Sequence, residues 1–332
     1  MTTIEVVELD GGPAARGTEH GRRQRAQIRT CIDIYRLVLG RPDELLLRAA
    51  LSIQRTVRSF SPAVAVEIEA IAEGARVDAA WKYVLNARSE LMANIADGCT
   101  AVFDPDHGLL GQTWDWLEAL EPLMFIARSH QPDGTRIATL TEPGIIAKIG
   151  CNDSGLGVCL NFLYAPGPHL GVPVHVLLRS LLNCRSLHEA RQTLDRAGAG
   201  RAANILIGTD TGAGYNIEYA GFAAVTAEIR RGPFVHANHV DGEPGTGGEL
   251  DRDSRARAST ANSLAHVIGD IDSLAAVLDD QSDRDHPICA PYRPYQGVQV
   301  GTTATVIMDL ARRTLYARRG PHPGGPLQAV AL

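Results

Sequence analysis

The segment Asp97-Gly98-Cys99-Thr100-Ala101 lies where the character of the sequence changes. Before it, apolar residues recur at helical spacing, as in Gly21 to Leu39 and Glu44 to Val57. After it, short apolar runs alternate with turn signals such as Asp104-Pro-Asp-His-Gly108. The sequence therefore predicts an α+β fold in which a helical N-terminal segment precedes a sheet-rich part.

Further elements follow from the same patterns. Ser61-Pro62 is a helix start signal, and Gly74 ends the helix that it begins. Helices are also predicted at Trp81 to Ile95, Pro173 to Leu182, Leu187 to Ala197, Ser254 to Ile268 and Ile271 to Asp279. Strands are predicted at Thr100 to Phe103, Leu109 to Trp114, Leu123 to Ser129, Arg136 to Thr141, Ile145 to Ile149, Gly157 to Phe162, Ala203 to Thr209, Tyr215 to Tyr219, Ala223 to Ile229 and Phe234 to Ala237, with a closing hairpin of Thr302 to Asp309 and Thr314 to Arg319. The Gly-rich stretch Asp241 to Gly248 is predicted to be a mobile loop.

Composition excludes several classes of protein. The chain has 332 residues, 45% of them hydrophobic, and a net charge of -6, which gives no general basic surface for nucleic acid. No apolar run reaches the length of a membrane span, and the acidic N-terminus does not resemble a secretory signal. Six cysteines without a C-x-x-C pair are typical of a reducing compartment. We therefore expect a cytoplasmic protein without nucleic-acid or membrane partners.

A glycine before a cysteine at the head of a strand is weak evidence by itself. Most single cysteines are buried hydrophobic residues, and this could be true of Cys99. The segment Gly111-Gln-Thr-Trp-Asp115-Trp116 follows closely, and its aspartate could equally belong to a β-turn. A functional interpretation of either segment needs further motifs.

Eight motifs together resemble the acyl-coenzyme A:isopenicillin N acyltransferase family of self-processing N-terminal nucleophile (Ntn) hydrolases. They occur in the family's order and spacing, nearly from end to end of the chain. The motifs are Arg16-Gly-Thr-Glu-His-Gly21, Leu85-Asn-Ala-Arg-Ser-Glu90, Asp97-Gly-Cys-Thr100, Gly111-Gln-Thr-Trp-Asp115, Thr141-Glu-Pro-Gly-Ile-Ile-Ala-Lys148, Gly150-Cys-Asn-Asp-Ser-Gly155, Gly171-Val-Pro-Val-His175 and Val235-His-Ala-Asn-His239.

The resemblance implies a four-layer αββα sandwich that is made as a precursor. The precursor is expected to cut itself between Gly98 and Cys99. Residues 1–98 would form a helical small fragment and residues 99–332 the catalytic fragment. The two fragments are expected to stay associated as one structural domain, and a homo-oligomer is compatible with the sequence.

The resemblance also implies roles for individual residues. Cleavage would give Cys99 a free α-amine that can accept the thiol proton, so that nucleophile and base belong to one residue. Asp115 would hold this amine, and the side-chain N–H of Asn238 would help to form the oxyanion hole. Asn161 matches a site-lining position. Trp114 and Trp116 flank Asp115 and could form a pocket wall, although core packing is the commoner role of such residues.

Two features depart from the fungal member of the family. That protein has a basic residue just before a Gly-x-Thr strand, whereas Val298-Gln-Val-Gly301-Thr-Thr-Ala contains no arginine. Arg293 is the nearest basic residue, and it is out of register. The fungal protein also has threonine where this chain has Ala101. Both differences argue against the substrate of the fungal enzyme more than against the Ntn-hydrolase mechanism.

Histidines suggest two alternatives that we do not favour. His236 and His239 could be a metal pair, but residues three apart on a strand point to opposite faces, so we predict no metal. His175 or His239 could pair with Cys99 as in papain, but no papain-type sequence surrounds the cysteine.

The sequence as a whole predicts a cysteine Ntn hydrolase that cleaves a linear amide of a small molecule through a thioester on Cys99. No cofactor is expected. One alternative is N-acyl transfer at the same site with acyl-CoA as co-substrate. Another is a binding protein on this scaffold that is neither processed nor catalytically active.

Overall fold

The computed structural model describes residues 3–92, 98–163, 171–221, 223–242 and 248–332. Within these residues the helices are α1 Pro13–Arg23, α2 Arg25–Leu39, α3 Asp43–Phe60, α4 Pro62–Ala75, α5 Ala79–Asn86, α6 Arg88–Leu91, α7 Val174–Leu181, α8 Leu187–Ala197, α9 Glu249–Leu264 and α10 Ile271–Leu278. The strands are β1 Glu5–Asp10, β2 Cys99–Asp104, β3 Leu109–Leu117, β4 Phe125–His130, β5 Arg136–Thr141, β6 Ile149–Asn152, β7 Leu156–Phe162, β8 Arg201–Thr209, β9 Gly214–Gly221, β10 Ala223–Ile229, β11 Phe234–His236, β12 Arg293–Tyr295, β13 Val298–Asp309, β14 Thr314–Arg319 and β15 Gln328–Ala331.

The strands form two sheets. The larger has the order β1-β4-β5-β6-β7-β8-β9-β10, and the smaller has the order β11-β2-β3-β13-β14-β15 with β12 attached to β13. The pairing of β1 with β4 is parallel, whereas the other pairings in the described residues are antiparallel. Short turns therefore connect most neighbouring strands, including the turn predicted at Asp104 to Gly108.

The sheets stack face to face, with β2 and β3 of the smaller sheet against β7 of the larger one. α9 and α10 cover the outer face of the smaller sheet through a cluster that includes Val102, Ile307 and Leu278. The end of α7 contacts the larger sheet, where Asn152 of β6 donates hydrogen bonds to the carbonyl groups of Leu182 and Cys184, and α8 packs against α7. The predicted α+β, αββα architecture is confirmed. One hydrophobic core contains residues from both sides of the 98/99 boundary.

The N-terminal helices are held together by close backbone contact and a buried ion pair. A Cβ atom on Gly17 or Gly21 of α1 would lie 2.3 or 2.2 Å from a carbonyl oxygen of α4. Arg16 of α1 pairs with Glu67 of α4 at 2.7 Å, and Arg179 of α7 reaches the same carboxylate at 3.3 Å. The motif that begins at Arg16 is therefore a helix-packing motif.

Several predicted elements need correction. β1 was missed because its six residues precede a long helical region, and only the parallel contact with β4 makes it a strand. The strand predicted at Ile145 to Ile149 is wrong, since β6 begins at Ile149. Instead of joining a neighbouring strand, the backbone here binds a side chain: Asn86 accepts from the Ile146 N–H and donates to the Gly144 carbonyl.

The helix predicted from Trp81 onwards is two helices, α5 and α6, and its end at Ile95 lies outside the described residues, as does Asp97. Residues 243–247 of the predicted loop also lie outside them. No helix in the described ranges combines the length and the apolar character needed to span a membrane.

Candidate active site

The strand order of the smaller sheet brings the predicted site residues together. β2 lies between β11 and β3, and Cys99 is its first residue. Cys99 is paired with Trp114 of β3, so Asp115 is one residue away from its partner. On the other side, Asn238 lies two residues beyond the end of β11. Residues that are far apart in sequence thus meet at the Gly98–Cys99 bond.

Asn238 holds the backbone nitrogen of Cys99. Its Oδ1 accepts the Cys99 N–H at 2.8 Å, and its Nδ2 donates to the Phe162 carbonyl at 2.9 Å. The backbone N–H of Asn238 is bound in turn by the Ser254 hydroxyl on α9 at 2.7 Å. The asparagine is fully buried, and contacts with β2, β7 and α9 fix its side-chain amide and its backbone N–H.

Asp115 lies on the other side of the Gly98–Cys99 bond. The Thr302 hydroxyl donates to its Oδ1 at 2.6 Å, while its Oδ2 would lie 2.9 Å from a Cβ atom on Gly98. The register of β13 against β3 shifts between Thr302 and Ala304. This irregularity, a common device beside active sites, lets Thr302 face the carboxylate.

Arg257 is a buried site residue that the sequence analysis missed. Its guanidinium donates to the Cys99 carbonyl at 2.8 Å, to the Thr100 hydroxyl at 2.9 Å and to Oδ1 of Asn238 at 3.0 Å. Asp253, one helical turn earlier on α9, accepts from its Nε at 2.9 Å. The i, i+4 spacing of Asp253 and Arg257 was a signal in the sequence, but in a helix rich in charges it predicts a surface ion pair.

Arg293, which we had considered as the missing basic residue, is exposed. Its guanidinium donates to the carbonyl groups of Arg284 and Asp285. Arg293 lines the mouth of the site, whereas α9, and not the strand near Gly301, supplies the buried cation beside Cys99.

Asn161 of β7 also faces the nucleophile position. Its Nδ2 donates to the carbonyl groups of Cys99 at 3.1 Å and His236 at 3.0 Å. Trp114 and Trp116 are fully buried: the Lys148 Nζ lies 3.8 Å from the centre of the Trp114 ring, and the Trp116 Nε1 donates to the Tyr35 hydroxyl. A pocket role for these three residues stays a prediction.

A cavity of about 230 Å³ opens beside Gly98 and Asp115. It is lined mainly by α9 and by the segment from 285 to 301. Among its residues are Glu249, Asp253, Asp285, His286, Arg293 and Tyr295. Neither Trp114 nor Trp116 lines it. The Cys99 side chain is fully buried in the intact chain, so the cavity reaches the residue before the thiol rather than the thiol itself.

The other cysteines are poor nucleophiles. Burial raises the pKa of the thiols of Cys151 and Cys289 to about 12, and it also raises those of Cys31, Cys159 and Cys184. A thiol with a raised pKa forms little of the reactive thiolate near neutral pH.

The histidines that we considered have other contacts. His175 is buried with its Nδ1 at 3.2 Å from the Ala147 carbonyl, and burial holds its pKa well below the ordinary value. The Nδ1 of His239 contacts the Ser254 hydroxyl at 2.8 Å. The expectation that His236 and His239 point to opposite faces is wrong. Because β11 ends at His236, His239 is not part of the strand, and the two rings stack with centroids 6.0 Å apart.

Ligand atoms of Glu218, His236 and Asp241 lie within 4.8 Å of one another. This is the one group of carboxylate, imidazole or thiol side chains in the described residues that could approach a common metal ion. The absence of a metal stays a prediction.

The fold and the site define an α+β sandwich enzyme with a cysteine at the head of a central strand, flanked by an aspartate and an asparagine. Residues 102–321 match the model of the family described as acyl-coenzyme A:6-aminopenicillanic acid acyl-transferase, and the chain belongs to this family. It is therefore an enzyme of the acyltransferase and amidohydrolase type.

One relative is similar over almost the whole chain. The 40 kDa form of the acyl-coenzyme A:6-aminopenicillanic-acid-acyltransferase of Emericella nidulans is 27% identical over 346 aligned positions, which cover 98% of this chain and 95% of the relative. Among solved structures, a conjugated bile acid hydrolase mutant from Clostridium perfringens has 13% identity and a TM-score of 0.47, covering 71% of this chain and 92% of that one. Penicillin V acylase from Agrobacterium tumefaciens also has 13% identity and a TM-score of 0.47, covering 70% and 86%.

Proposed function

We propose that this enzyme processes itself at Gly98–Cys99 and then hydrolyses a linear amide of a small molecule through a thioester on Cys99. The observation that carries the proposal is the hydrogen bond from the Cys99 N–H to Oδ1 of Asn238, at 2.8 Å, with the Asp115 carboxylate beside Gly98. The nitrogen that cleavage would convert into an α-amine is thus already bound in the intact chain.

Self-processing needs no group beyond the residues at the site and water. The Cys99 sulfur attacks the Gly98 carbonyl carbon, forming a C–S bond while the C–N bond breaks, and the Cys99 nitrogen takes up a proton to become an amine. The product of this step is a thioester between Gly98 and the Cys99 sulfur. Water then hydrolyses the thioester, giving the Gly98 carboxylate and the free thiol. Because Cys99 is fully buried before cleavage, substrate reaches the thiol only after a rearrangement at the Gly98–Cys99 bond.

Turnover repeats the same chemistry on a substrate. The Cys99 amine receives the thiol proton and delivers it to the leaving amine, while the acyl group remains on sulfur until water removes it. Asp115 stabilises the ammonium form of the Cys99 amine, since an adjacent opposite charge favours it. Asn238 binds the amine through Oδ1 and offers Nδ2 to the developing oxyanion. The Nδ2 can do so once it leaves the Phe162 carbonyl.

Arg257 stabilises this arrangement through hydrogen bonds to two of its residues. Its guanidinium binds both the Cys99 carbonyl and Oδ1 of Asn238, so it fixes the nucleophile relative to the oxyanion donor. The two fragments stay associated because they share one hydrophobic core. The proposed location of the enzyme is the cytoplasm. The proposed hydrolysis requires no cofactor.

Acyl transfer is the second candidate, and the description of the family and of the Emericella nidulans relative favours it. In that reaction the Cys99 thiol takes the acyl group from an acyl-CoA and releases free CoA. An amine, instead of water, then attacks the thioester, which gives the N-acyl product and the free Cys99 thiol. Incubation with an acyl-CoA and a panel of amines separates the two: an N-acyl product supports transfer, and a free acid alone supports hydrolysis.

The test of the proposal is the intact mass of Cys99→Ala. Wild-type protein should appear as residues 1–98 and 99–332, whereas Cys99→Ala should remain one chain without amidase activity, because the attacking thiol is gone. Cys159→Ala, which removes a buried thiol of β7, is the matched control and should be processed normally. Two fragments from Cys99→Ala would contradict the assignment of the nucleophile. Trapping the thioester with a panel of amides and measuring the added mass identifies the acyl group.

A further inference from the structure

A buried contact between a carboxylate and an imidazole joins the two sheets next to the site. His236 ends β11 in the smaller sheet, and Glu218 lies on β9 in the larger one. The His236 Nε2 is 2.7 Å from Oε1 of Glu218, and the two side chains are 0% and 6% exposed. None of the residues assigned to the reaction above belongs to this pair.

Both nitrogens of the His236 ring face oxygen acceptors. Nδ1 lies 2.7 Å from the Ala237 carbonyl oxygen and Nε2 lies 2.7 Å from the Glu218 carboxylate. The imidazole is therefore held at both of its nitrogens, and the Glu218 carboxylate is the partner that reaches it from the other sheet.

Glu218 also holds the other end of the segment that carries Asn238. The same Oε1 accepts the backbone N–H of Asp241 at 2.8 Å. One carboxylate oxygen therefore fixes residues 236 and 241, with Asn238 between them. The His236 carbonyl, in turn, accepts from Asn161, which also binds the Cys99 carbonyl.

Other charged groups face this segment. His239 stacks on His236 and lies 3.5 Å from the Asp241 carboxylate, which is half exposed. Arg255 on α9 acts on His239 through its charge. These contacts are more exposed than the contact between Glu218 and His236. We therefore infer that Glu218 and His236 hold the segment from residue 236 to residue 241 in place.

We propose that Glu218 is a positioning residue, which acts through His236 and the Asp241 N–H to hold the Asn238 amide against Cys99. This inference rests on the proposed function for its kinetic consequence but not for the contacts of Glu218 themselves. Catalytic groups tolerate little displacement, and an error of about 1 Å can cost roughly 10²-fold in rate.

The first experiment is hydrogen exchange of the Asp241 backbone amide, followed by NMR. Glu218→Ala should speed this exchange, because the N–H loses its carboxylate acceptor. Glu218→Gln should keep the exchange slow, because the glutamine carbonyl oxygen can accept the same N–H. An exchange rate in Glu218→Ala equal to that of the wild-type protein would overturn the fixing of residue 241 by Glu218. This readout does not depend on any activity.

The second experiment is kinetic. Glu218→Ala should lower kcat about 10-fold or more, with KM changed less than about 3-fold, as expected for a misplaced oxyanion donor. Glu218→Gln should stay within about 3-fold of the wild-type kcat, because it can remake both hydrogen bonds. Glu218→Asp keeps the charge but is too short to reach both partners, and should fold and lose kcat even if the alanine variant does not fold.

Glu228→Gln is the matched control, since it removes an exposed carboxylate from the neighbouring strand β10. It should leave kcat unchanged. A folded Glu218→Ala or Glu218→Asp protein with the wild-type kcat would overturn the positioning role. If the wild-type protein is neither processed nor active on amides, the proposed function fails, whereas the contact of Glu218 with the Asp241 amide remains testable by hydrogen exchange.

Discussion

Gly98 shows how closely the groups around the Gly98–Cys99 bond approach one another. A Cβ atom at this position would lie 2.9 Å from Oδ2 of Asp115 and 3.5 Å from Nη2 of Arg257. The carboxylate cannot easily retreat, because the Thr302 hydroxyl holds its other oxygen. Glycine is therefore needed here for close approach of a charged group, besides leaving its carbonyl unshielded to the thiol.

Asp115→Asn tests the role of the carboxylate at nearly constant shape. The Cys99 amine loses the negative charge that stabilises and orients its ammonium form. We expect kcat to fall at least about 10²-fold, as for loss of a positioned base, with a smaller effect on substrate affinity. Steady-state kinetics on any amide that the wild type cleaves, together with thermal melting, measure the effect.

Asp309→Asn is a matched control, because Asp309 is as deeply buried as Asp115 and lies at the far end of the same strand pair. It should retain the wild-type kcat. A folded, processed Asp115→Asn protein with wild-type kcat between about pH 6 and 9, where an α-amine titrates, would show that the carboxylate does not serve the amine.

Arg257→Lys tests the residue that the sequence analysis missed. A lysine keeps the charge, but its single ammonium cannot reproduce the fork that binds Cys99, Thr100 and Asn238 together. We expect slower processing and a kcat reduced about 10-fold or more. Arg255→Lys, two residues earlier and partly exposed on α9, should behave as wild type. Equal kinetics of the two variants would assign Arg257 to packing alone.

At the scale of elements, the contact between α1 and α4 explains the first sequence motif. Gly21 faces the carbonyl of Ile71 on α4, and Gly74 on α4 faces the carbonyl of Thr18. His20 accepts the Gly144 N–H at 3.0 Å, and burial lowers its pKa to about 3, which keeps the ring neutral and able to accept. The motif therefore fastens α1 both to α4 and to the loop before β6.

Gly21→Ala should destabilise the protein by about 2–3 kcal/mol, because the new methyl group would lie 2.2 Å from a backbone oxygen and must push the helices apart. Urea denaturation measures the loss. Gly12→Ala is the control at the start of the same helix, where an added Cβ meets no atom within 4 Å, and it should change stability by less than about 1 kcal/mol. Equal stability of the two variants would contradict close packing of α1 and α4.

At the scale of the whole molecule, a buried amine couples stability to pH. Burial lowers the pKa of Lys82 from 10.5 to about 7, and its Nζ has no hydrogen-bond partner in the described structure. The unfolded chain keeps this proton up to about pH 10.5, whereas the folded chain releases it near pH 7. Between these values the unfolded state binds more protons, so stability rises with pH.

Lys82→Met should remove this dependence, since methionine has a similar length and no charge. Between pH 7 and 9 the free energy of unfolding of the wild type should rise relative to Lys82→Met by up to about 2 kcal/mol. Chemical denaturation of both proteins at the two pH values measures the difference. Parallel pH profiles would show that Lys82 does not change its protonation on folding.

Sequence patterns predicted elements whose signals are local. α8 and β10 match the predicted ranges, and the third predicted helix is α4, with Pro62 as its first residue. Predictions failed where partners distant in sequence decide the structure. β1 is a strand because β4 lies beside it, and the segment before β6 is irregular because the Asn86 side chain binds its backbone.

The sequence by itself determined the α+β class and the family resemblance, and it predicted Cys99, Asp115 and Asn238 as site residues, because each is carried by a pattern or a motif of adjacent residues. Only the tertiary structure decided that Arg257 reaches the Cys99 carbonyl, that Thr302 holds Asp115 and that Glu218 spans the two sheets to His236. These contacts join residues 18 to 187 positions apart. Strand order, register and helix placement set them, and no local spacing in the chain encodes those distances.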